Sequence, residues 1–289
     1  MLKTYNEIYL SARNALRQGG VEAYALEAKI LVASAAGKTT GRLLRDLNLY
    51  TSEECALKTE EYVNRRLAGE PVAYITRSWE FYGLPMYVTS DVLIPRIDTE
   101  VLIDAAKDLL LGRKMNAKVL DLCCGSGCIA CAVGHEFPAT TVFAVDNSPS
   151  ALQVCRKNIA DNRMQNHIFT MQADALGFPP VSLNSFDLIL CNPPYVPTEE
   201  IKTLDISVRN FEPLSTLDGG EDGLKFYRAI LKYWKSVLRP GGHIMFEVGE
   251  DQAQKVWNLM EKEGFFNMYT RTDTLHVERV VVGKLGNEF

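Results

Sequence analysis

The alternation of strand-like and helical runs in the second part of the chain constrains the fold most. Short apolar runs, separated by amphipathic helical patterns, occupy residues 118–122, 141–145, 167–172, 186–191, 243–248, 267–271 and 279–282. Such alternation predicts an α/β fold, in which a mostly parallel sheet is flanked by helices. Ligands of such sheets bind at the carboxyl ends of the strands, so candidate site residues are sought there.

The N-terminal part of the chain has a helical pattern instead. Three predicted helices cover residues 4–17, 23–36 and 52–68. Two β-like runs follow, WEFYG and MYVTS, and the intervening Gly83-Leu84-Pro85 predicts the turn of a hairpin. We therefore expect a small α-helical domain, a linking β-hairpin and an α/β domain, in that order at residues 1–75, 76–97 and 98–289. The helical domain fits either a scaffold or a substrate-recognition module.

Composition and charge exclude some classes of protein. Of the 289 residues 47% are hydrophobic, but no apolar run reaches the ~18–20 residues that a membrane span needs. The N-terminal residues lack a signal-peptide or transit-peptide pattern, and seven cysteines without such a signal are typical of a reducing compartment. We expect a cytoplasmic monomer. A net charge of −5 gives no support to nucleic-acid binding through phosphates, and four scattered histidines indicate no metal site.

A strand that runs into a glycine-rich turn and a helix marks a candidate cofactor site. In Cys123-Cys124-Gly125-Ser126-Gly127 the two glycines allow a tight turn and a close approach of a ligand to the backbone. Asp146 ends the next strand, where a carboxylate can accept hydrogen bonds from both ribose hydroxyls. Ser148 suits the N-cap of the following helix better than Asp146 does, which favours the ribose role.

The residues leave two classes of ligand open for this site, a dinucleotide and S-adenosylmethionine. A dinucleotide fingerprint has glycine at position 130, but the Ala130 found there is also tolerated. Asp174, which follows the third strand of the domain, could accept a hydrogen bond from an adenine amino group in either ligand.

The strand at residues 186–191 ends in Asn192-Pro193-Pro194-Tyr195, which is the strongest indication of chemistry. The prolines stop the strand and fix the backbone, so the Asn192 side-chain oxygen and the Pro193 carbonyl become rigid acceptors beside the Tyr195 ring. Two acceptors and an aromatic face suit a planar –NH2 group. Orienting such a poor nucleophile can lower the barrier by up to about 7–11 kcal/mol without a metal or a covalent intermediate. The motif therefore indicates methylation of an amino group but does not choose the acceptor.

With these motifs the chain resembles the release-factor glutamine methyltransferases over nearly its whole length. Besides Asn192-Pro193-Pro194-Tyr195, the resemblance rests on several segments, among which the hairpin and Ile-Pro-Arg segments are not general methyltransferase features. These segments are Gly69-Glu70-Pro71-Val72-Ala73-Tyr74-Ile75, Trp79-Glu80-Phe81-Tyr82-Gly83, Val92-Leu93-Ile94-Pro95-Arg96, Asp98-Thr99-Glu100, Glu212-Pro213, Gly219-Gly220-Glu221-Asp222-Gly223-Leu224 and Arg239-Pro240-Gly241-Gly242.

The resemblance implies a Rossmann-like methyltransferase domain with a mostly parallel seven-stranded sheet, and a helical domain that helps to hold a release factor. It also implies methyl transfer from S-adenosylmethionine to N5 of the glutamine in the factor's Gly-Gly-Gln loop, which leaves S-adenosylhomocysteine. By the same match, cofactor contacts are expected from Cys123, Cys124, Gly125, Ser126, Gly127, Asp146, Asp174, Ala175 and Asn192. Substrate contacts are expected from Asn192, Pro193, Pro194 and Tyr195, and catalytic roles from Asn192, Pro193 and Tyr195.

Two positions depart from the family's pattern. Cys123 stands where glycine is common, and Ala175 stands where a large side chain usually packs near the adenine. We expect Leu176 or Phe178 to supply that packing instead.

Three other interpretations remain open. The same type of turn occurs in methyltransferases that act on an exocyclic amine of adenine or guanine in DNA or RNA, but the chain has no basic arm. Cys124, Cys128 and Cys131 resemble the iron–sulfur loop of radical enzymes, although a regular helix there would make the last two packing residues. The chain could also be a nucleotide-binding adaptor, which would bind the cofactor without turnover.

Overall fold

The computed structural model describes residues 3–111 and 116–286, which form two units. The first unit comprises the chain up to Ser78 together with Asp205–Phe211, and the second comprises Trp79–Leu204 and the chain from Glu212 onward. Within these described ranges, no helix combines the length and the apolar character that crossing a membrane requires.

The helices are α1 (Tyr5–Gln18), α2 (Tyr24–Ala35), α3 (Thr40–Arg45), α4 (Glu53–Leu67), α5 (Val72–Thr76), α6 (Glu100–Leu111), α7 (Cys128–Glu136), α8 (Pro149–Asp161), α9 (Ile206–Arg209), α10 (Lys225–Tyr233) and α11 (Ala253–Lys262). The strands are β1 (Trp79–Phe81), β2 (Leu84–Met86), β3 (Lys118–Leu122), β4 (Thr141–Asp146), β5 (Ile168–Gln172), β6 (Phe186–Cys191), β7 (Leu238–Glu247), β8 (Phe265–Thr272) and β9 (Glu278–Leu285).

The first unit is helical, with α1, α2 and α4 around an apolar core. Leu16, Leu31 and Leu43 are fully buried in this core. The predicted starts of α1 and α4 are confirmed, because Thr4 and Ser52 cap them through side-chain hydrogen bonds. The short helices α3, α5 and α9 escape prediction, since four to six residues are too few to show a helical period.

The second unit contains a seven-stranded sheet in the order β5-β4-β3-β6-β7-β9-β8. Strands β3 to β7 are all parallel to one another, whereas β9 is antiparallel to both β7 and β8. The predicted α/β methyltransferase fold is thereby confirmed, and β3 and β6 have the predicted bounds. The strand order reverses between β3 and β6, and at such a switch point an open sheet leaves a crevice for ligands.

Two local predictions need correction. Leu84 and Pro85 belong to β2 and not to the hairpin turn, because Tyr82 and Gly83 have φ of 52° and 72° and form a two-residue turn. Strand β7 begins at Leu238 and not at residue 243, so it includes the Arg-Pro-Gly-Gly run. Helix α10 ends just before it, at Tyr233, and a 3₁₀ turn over Trp234–Val237 connects the two.

Candidate active site

A cavity opens at the carboxyl ends of β3, β4 and β6. An open α/β sheet binds its ligands at these strand ends. Its wall contains most of the predicted cofactor residues together with an upstream segment around the Ile-Pro-Arg motif. Its lining residues are Asp91, Leu93, Pro95, Arg96, Thr99, Leu122, Cys123, Cys124, Gly125, Ser126, Cys128, Ile129, Asp146, Asn147, Ser148, Ala151, Ala173, Asp174, Ala175, Asn192, Pro194, Ser215, Thr216 and Phe226.

The turn after β3 approaches the cavity with its backbone. Gly125 has φ of 51°, and a side chain added there would meet nothing within 4 Å, so the space above it is open to a ligand. Gly127 is required for packing, since an added Cβ would lie 2.5 Å from the Cys155 sulfur. Cys123 has φ of 63°, a left-handed conformation that glycine adopts without the steric cost of a Cβ. Although Gly127 lies outside the cavity wall, it begins α7 and holds the turn against α8.

Asp146 lies at the end of β4 and holds two loops. Its carboxylate accepts hydrogen bonds from the Gly125 N–H at 2.8 Å and from the Ser148 N–H at 2.9 Å. Ser148 is the N-cap of α8, as predicted, since its hydroxyl accepts from the Ala151 N–H. Burial raises the pKa of Asp146, and the hydrogen bonds from neighbouring N–H groups oppose that shift. A carboxylate offers about four acceptor positions, so it can still accept from ligand hydroxyls.

Two buried polar side chains support the turn from behind. The Asn158 amide nitrogen donates to the Ser126 carbonyl and to the Tyr87 carbonyl, both at 2.9 Å. Asp121 in β3 accepts from the Ala130 N–H at 3.0 Å, and burial raises its pKa to about 8. Both side chains are completely buried, so they brace the turn and have no contact with solvent.

The predicted adenine side of the cavity differs from expectation. Asp174 and Ala175 line the wall, but neither Leu176 nor Phe178 is among the lining residues. The Phe178 ring is 81% exposed and lies 4.6 Å from the Tyr233 ring, so it packs on α10 instead. The large aromatic side chain on the cavity wall is Phe226, also from α10.

The side chain of Asn192 is held in one orientation. Its amide nitrogen donates to the Thr99 hydroxyl at 3.2 Å, and Thr99 is only 2% exposed. Because the nitrogen is engaged, the Asn192 oxygen is the atom left to accept a hydrogen bond from a substrate. The Asn192 residue lines the cavity, as predicted.

The other residues of the Asn-Pro-Pro-Tyr turn differ in their exposure to the cavity. Pro194 lines it, whereas Pro193 and Tyr195 are absent from the lining residues. The Tyr195 carbonyl accepts a hydrogen bond from the Gln252 amide at 2.9 Å, and burial raises the pKa of the Tyr195 phenol. The predicted contacts of Pro193 and Tyr195 with a substrate therefore stay predictions.

An ion pair joins two loops of the cavity wall that are far apart in the chain. Arg96 lies 2.5 Å from Glu212, whose side chain is 1% exposed. Burial raises the pKa of Glu212, and Arg96 opposes the shift. Both residues belong to segments that carry the family resemblance, which is the only signal in the sequence that could have located them.

The cysteines around the turn are packing residues. All seven are free thiols, and six of them are buried. Burial raises the pKa of the Cys128 and Cys131 thiols, whereas thiolates are what an iron–sulfur cluster needs. Within the described part of the chain, no group of three or more His, Cys, Asp or Glu side chains could hold a metal ion.

Two family models and several known proteins are similar to this chain. Residues 97–210 match the family described as "Methyltransferase small domain", and residues 7–76 match "PrmC N-terminal domain". A release factor glutamine methyltransferase of Geobacter sulfurreducens is 38% identical, over 95% of this chain and 94% of the relative. One from Clostridium acetobutylicum is 36% identical, over 96% of this chain and 97% of the relative.

A solved structure agrees with the fold. The catalytic domain of hMettl16, solved with the MAT2A 3'UTR hairpin 6, superimposes with a TM-score of 0.57. The match covers 82% of this chain and 83% of that one at 14% identity, so it bears on the fold alone.

Proposed function

Because the chain belongs to the release factor glutamine methyltransferases, we propose that it methylates N5 of the glutamine in the Gly-Gly-Gln loop of a peptide-chain release factor. The chain is a methyltransferase that uses S-adenosylmethionine. When bound, this cofactor supplies a methyl group on a sulfonium, which is already activated for transfer. The protein's task is therefore to bind, orient and desolvate the two reactants.

The cofactor is proposed to lie between the turn after β3 and the end of β4. Three observations support this: the open space above Gly125, the spare acceptor capacity of Asp146, and the place of both residues on the cavity wall. Asp146 would hold the ribose, and Cys123, Cys124, Ser126 and Gly127 would shape the backbone around the methionine portion. Asp174 and Ala175 would lie near the adenine, with Phe226 as the aromatic wall that the sequence does not predict.

The glutamine amide is proposed to bind at the Asn-Pro-Pro-Tyr turn. The single observation that carries this is the hydrogen bond from the Asn192 amide nitrogen to Thr99, which leaves the Asn192 oxygen to accept from the substrate –NH2. With the Pro193 carbonyl as second acceptor, the turn would take both amide hydrogens and direct the nitrogen lone pair at the methyl group. Pro194 and Tyr195 would support the planar amide.

The helical unit, whose boundary we predict at residue 75, is proposed to recognise the release factor, with the hairpin at 76–97 as the linker to the catalytic domain. We also propose that the chain works as a monomer in the cytoplasm without binding nucleic acid. The net charge of −5 and the seven free thiols support this assignment.

The proposal is tested by incubating the purified protein with labelled S-adenosylmethionine and a release factor. Mass spectrometry should find one added methyl on the glutamine of the Gly-Gly-Gln loop, and a factor with Gln→Ala there should take up none. Asn192→Ala should lower the rate by about 10²–10³, by analogy with removing one preorganised group of an oxyanion hole. Cofactor affinity should change far less than the rate, since the hydrogen bond that is lost is the one proposed for the substrate amide.

Nucleic acid serves as the competing substrate in the same assay. Label that appears on DNA or RNA, or that persists on the Gln→Ala factor, would show that the turn binds a different planar amine. Cofactor binding without any transfer would instead favour the adaptor.

A further inference from the structure

Glu247 is a buried carboxyl group that the proposed mechanism does not use. It ends β7 and is 2% exposed. Within the part of the chain that the structure describes, its Oε2 atom has no hydrogen-bond partner. Burying a carboxyl oxygen without a hydrogen-bond partner costs free energy, so such an atom needs an explanation.

The register of the sheet places Glu247 beside the Asn-Pro-Pro-Tyr turn. Strands β6 and β7 are parallel neighbours with Cys191 opposite Phe246, so the next positions are Asn192 and Glu247. Adjacent residues on paired strands lie about 5 Å apart and point to the same face. The Thr99 and Asn192 side chains lie close enough to Glu247 to lower the pKa of its carboxyl group, against the larger raising effect of burial.

We propose that Glu247 is a positioning residue that fixes the Asn192 amide with its oxygen toward the substrate. This inference rests on the methyl transfer proposed above. The Asn192 nitrogen carries two hydrogens, one directed at Thr99 and the other available to Glu247. A rotated amide would aim its oxygen at an acceptor-only carboxylate and its –NH2 at the substrate –NH2, which are two unfavourable pairings.

The protonation state of Glu247 decides whether it can choose between these orientations. Burial raises the pKa of Glu247 to about 7, against the lowering effects of Thr99, Arg279 and Asn192. Below that pH the protonated carboxyl can donate to the Asn192 oxygen and stabilises the wrong orientation as well. Above it the carboxylate only accepts, so the correct orientation prevails.

Among the groups around Glu247, the one whose charge should change near pH 7 is Glu247 itself. The titratable and charged groups that face it are Asp98, Arg279, Tyr195, Tyr227, Cys128 and Cys191. Raised pKa values keep the two phenols and the two thiols neutral there, and the raised pKa of Arg279 keeps it charged.

The test is the pH dependence of kcat/KM for the release factor, at saturating cofactor, in the wild type and Glu247→Gln. The wild-type value should rise with pH, with its midpoint near pH 7 and a plateau above it, because kcat/KM reports the ionisation of groups in the free enzyme. Glu247→Gln can present either an acceptor or a donor, so its kcat/KM should be about 10-fold lower than the wild-type plateau and flat across pH 7. Burial raises the pKa of Asp121 to about 8, but Asp121 is present in both proteins, so a difference between the two pH profiles is due to Glu247.

Thr99→Val serves as the second variant. It removes the other acceptor but leaves Glu247, so its kcat/KM should fall while the rise through pH 7 persists. Unchanged cofactor affinity in both variants would identify them as folded. If Glu247→Gln does not fold, the pH profile of Thr99→Val alone tests the positioning role. A Glu247→Gln profile that rises as in the wild type, or a flat Thr99→Val profile, would overturn the positioning role. Absence of methyl transfer in the wild type would instead overturn the proposed function itself.

Discussion

Asp146 stabilises the structure of the site in addition to making the ribose contact proposed for it. Its two hydrogen bonds tie the glycine turn to the start of α8, so the same carboxylate shapes the site and would bind in it. Its expected effect on cofactor affinity therefore includes both the proposed ribose contact and the ordering of the turn.

Asp146→Ala should weaken S-adenosylmethionine binding by about 1.5–3 kcal/mol, the range for hydrogen bonds to a charged group, or roughly 10–150-fold in Kd. Calorimetry on the purified variant measures this. Asp161→Ala is the matched control, because it removes the same charge from an exposed position of α8, where Asp161 forms a salt bridge with Lys157. Equal affinities in the two variants would exclude Asp146 from ribose binding.

At the scale of the elements, glycines allow one segment to lie directly on the Asn-Pro-Pro-Tyr turn. Gly219 donates its N–H to the Val196 carbonyl at 2.9 Å, and a Cβ added to it would lie 2.7 Å from the Tyr195 Cα. Gly223 is similarly close, with an added Cβ 2.3 Å from the Tyr195 carbonyl oxygen. The Gly-Gly-Glu-Asp-Gly-Leu run is thus explained by backbone packing behind Tyr195.

Gly219→Ala should displace the turn, because the clash is with backbone and cannot be relieved by a rotamer change. We expect methyl transfer to fall by about 10–100-fold, as misplacement near 1 Å can cost, while cofactor affinity stays close to that of the wild type. Gly41→Ala, where an added Cβ meets nothing within 4 Å, is the control and should be fully active. Full activity of Gly219→Ala would mean that the turn tolerates the shift.

For the whole molecule, two buried carboxyl groups make stability depend on pH near neutrality. Burial raises the pKa of Asp121 to about 8 and that of Glu247 to about 7. In the unfolded chain both ionise near pH 4, so between about pH 4 and these values the folded state holds protons that the unfolded state has lost. The stability contributed by their protonated forms is therefore lost as the pH rises toward 8.

The free energy of unfolding should be smaller at pH 8.5 than at pH 6.5, with a slope of up to about 1.4 kcal/mol per pH unit for each group. Urea denaturation at the two pH values measures this difference. Asp121→Asn keeps an acceptor for the Ala130 N–H but cannot ionise, so it should reduce the difference. A difference of the same size in wild type and variant would assign the effect to other groups.

The amino-acid sequence predicts the local features of this protein. Side-chain caps at Thr4, Ser52 and Ser148 act within three residues, and the bounds of β3 and β6 follow from uninterrupted apolar runs. The turn that stops β6 is equally local, since two consecutive prolines end a strand in any context. Together with the family resemblance, this was enough to predict the fold and to propose the site residues.

Which distant groups meet at the site follows from how the strands and helices pack. Thr99 reaches Asn192 across 93 positions, and Arg96 reaches Glu212 across 116. Glu247 lies beside Asn192 because β7 pairs with β6, and Phe226 from α10 lines the cavity whereas residues 176 and 178 do not. Such contacts depend on strand order and on how helices pack, and no local preference of the chain encodes them because their partners are too far apart in sequence.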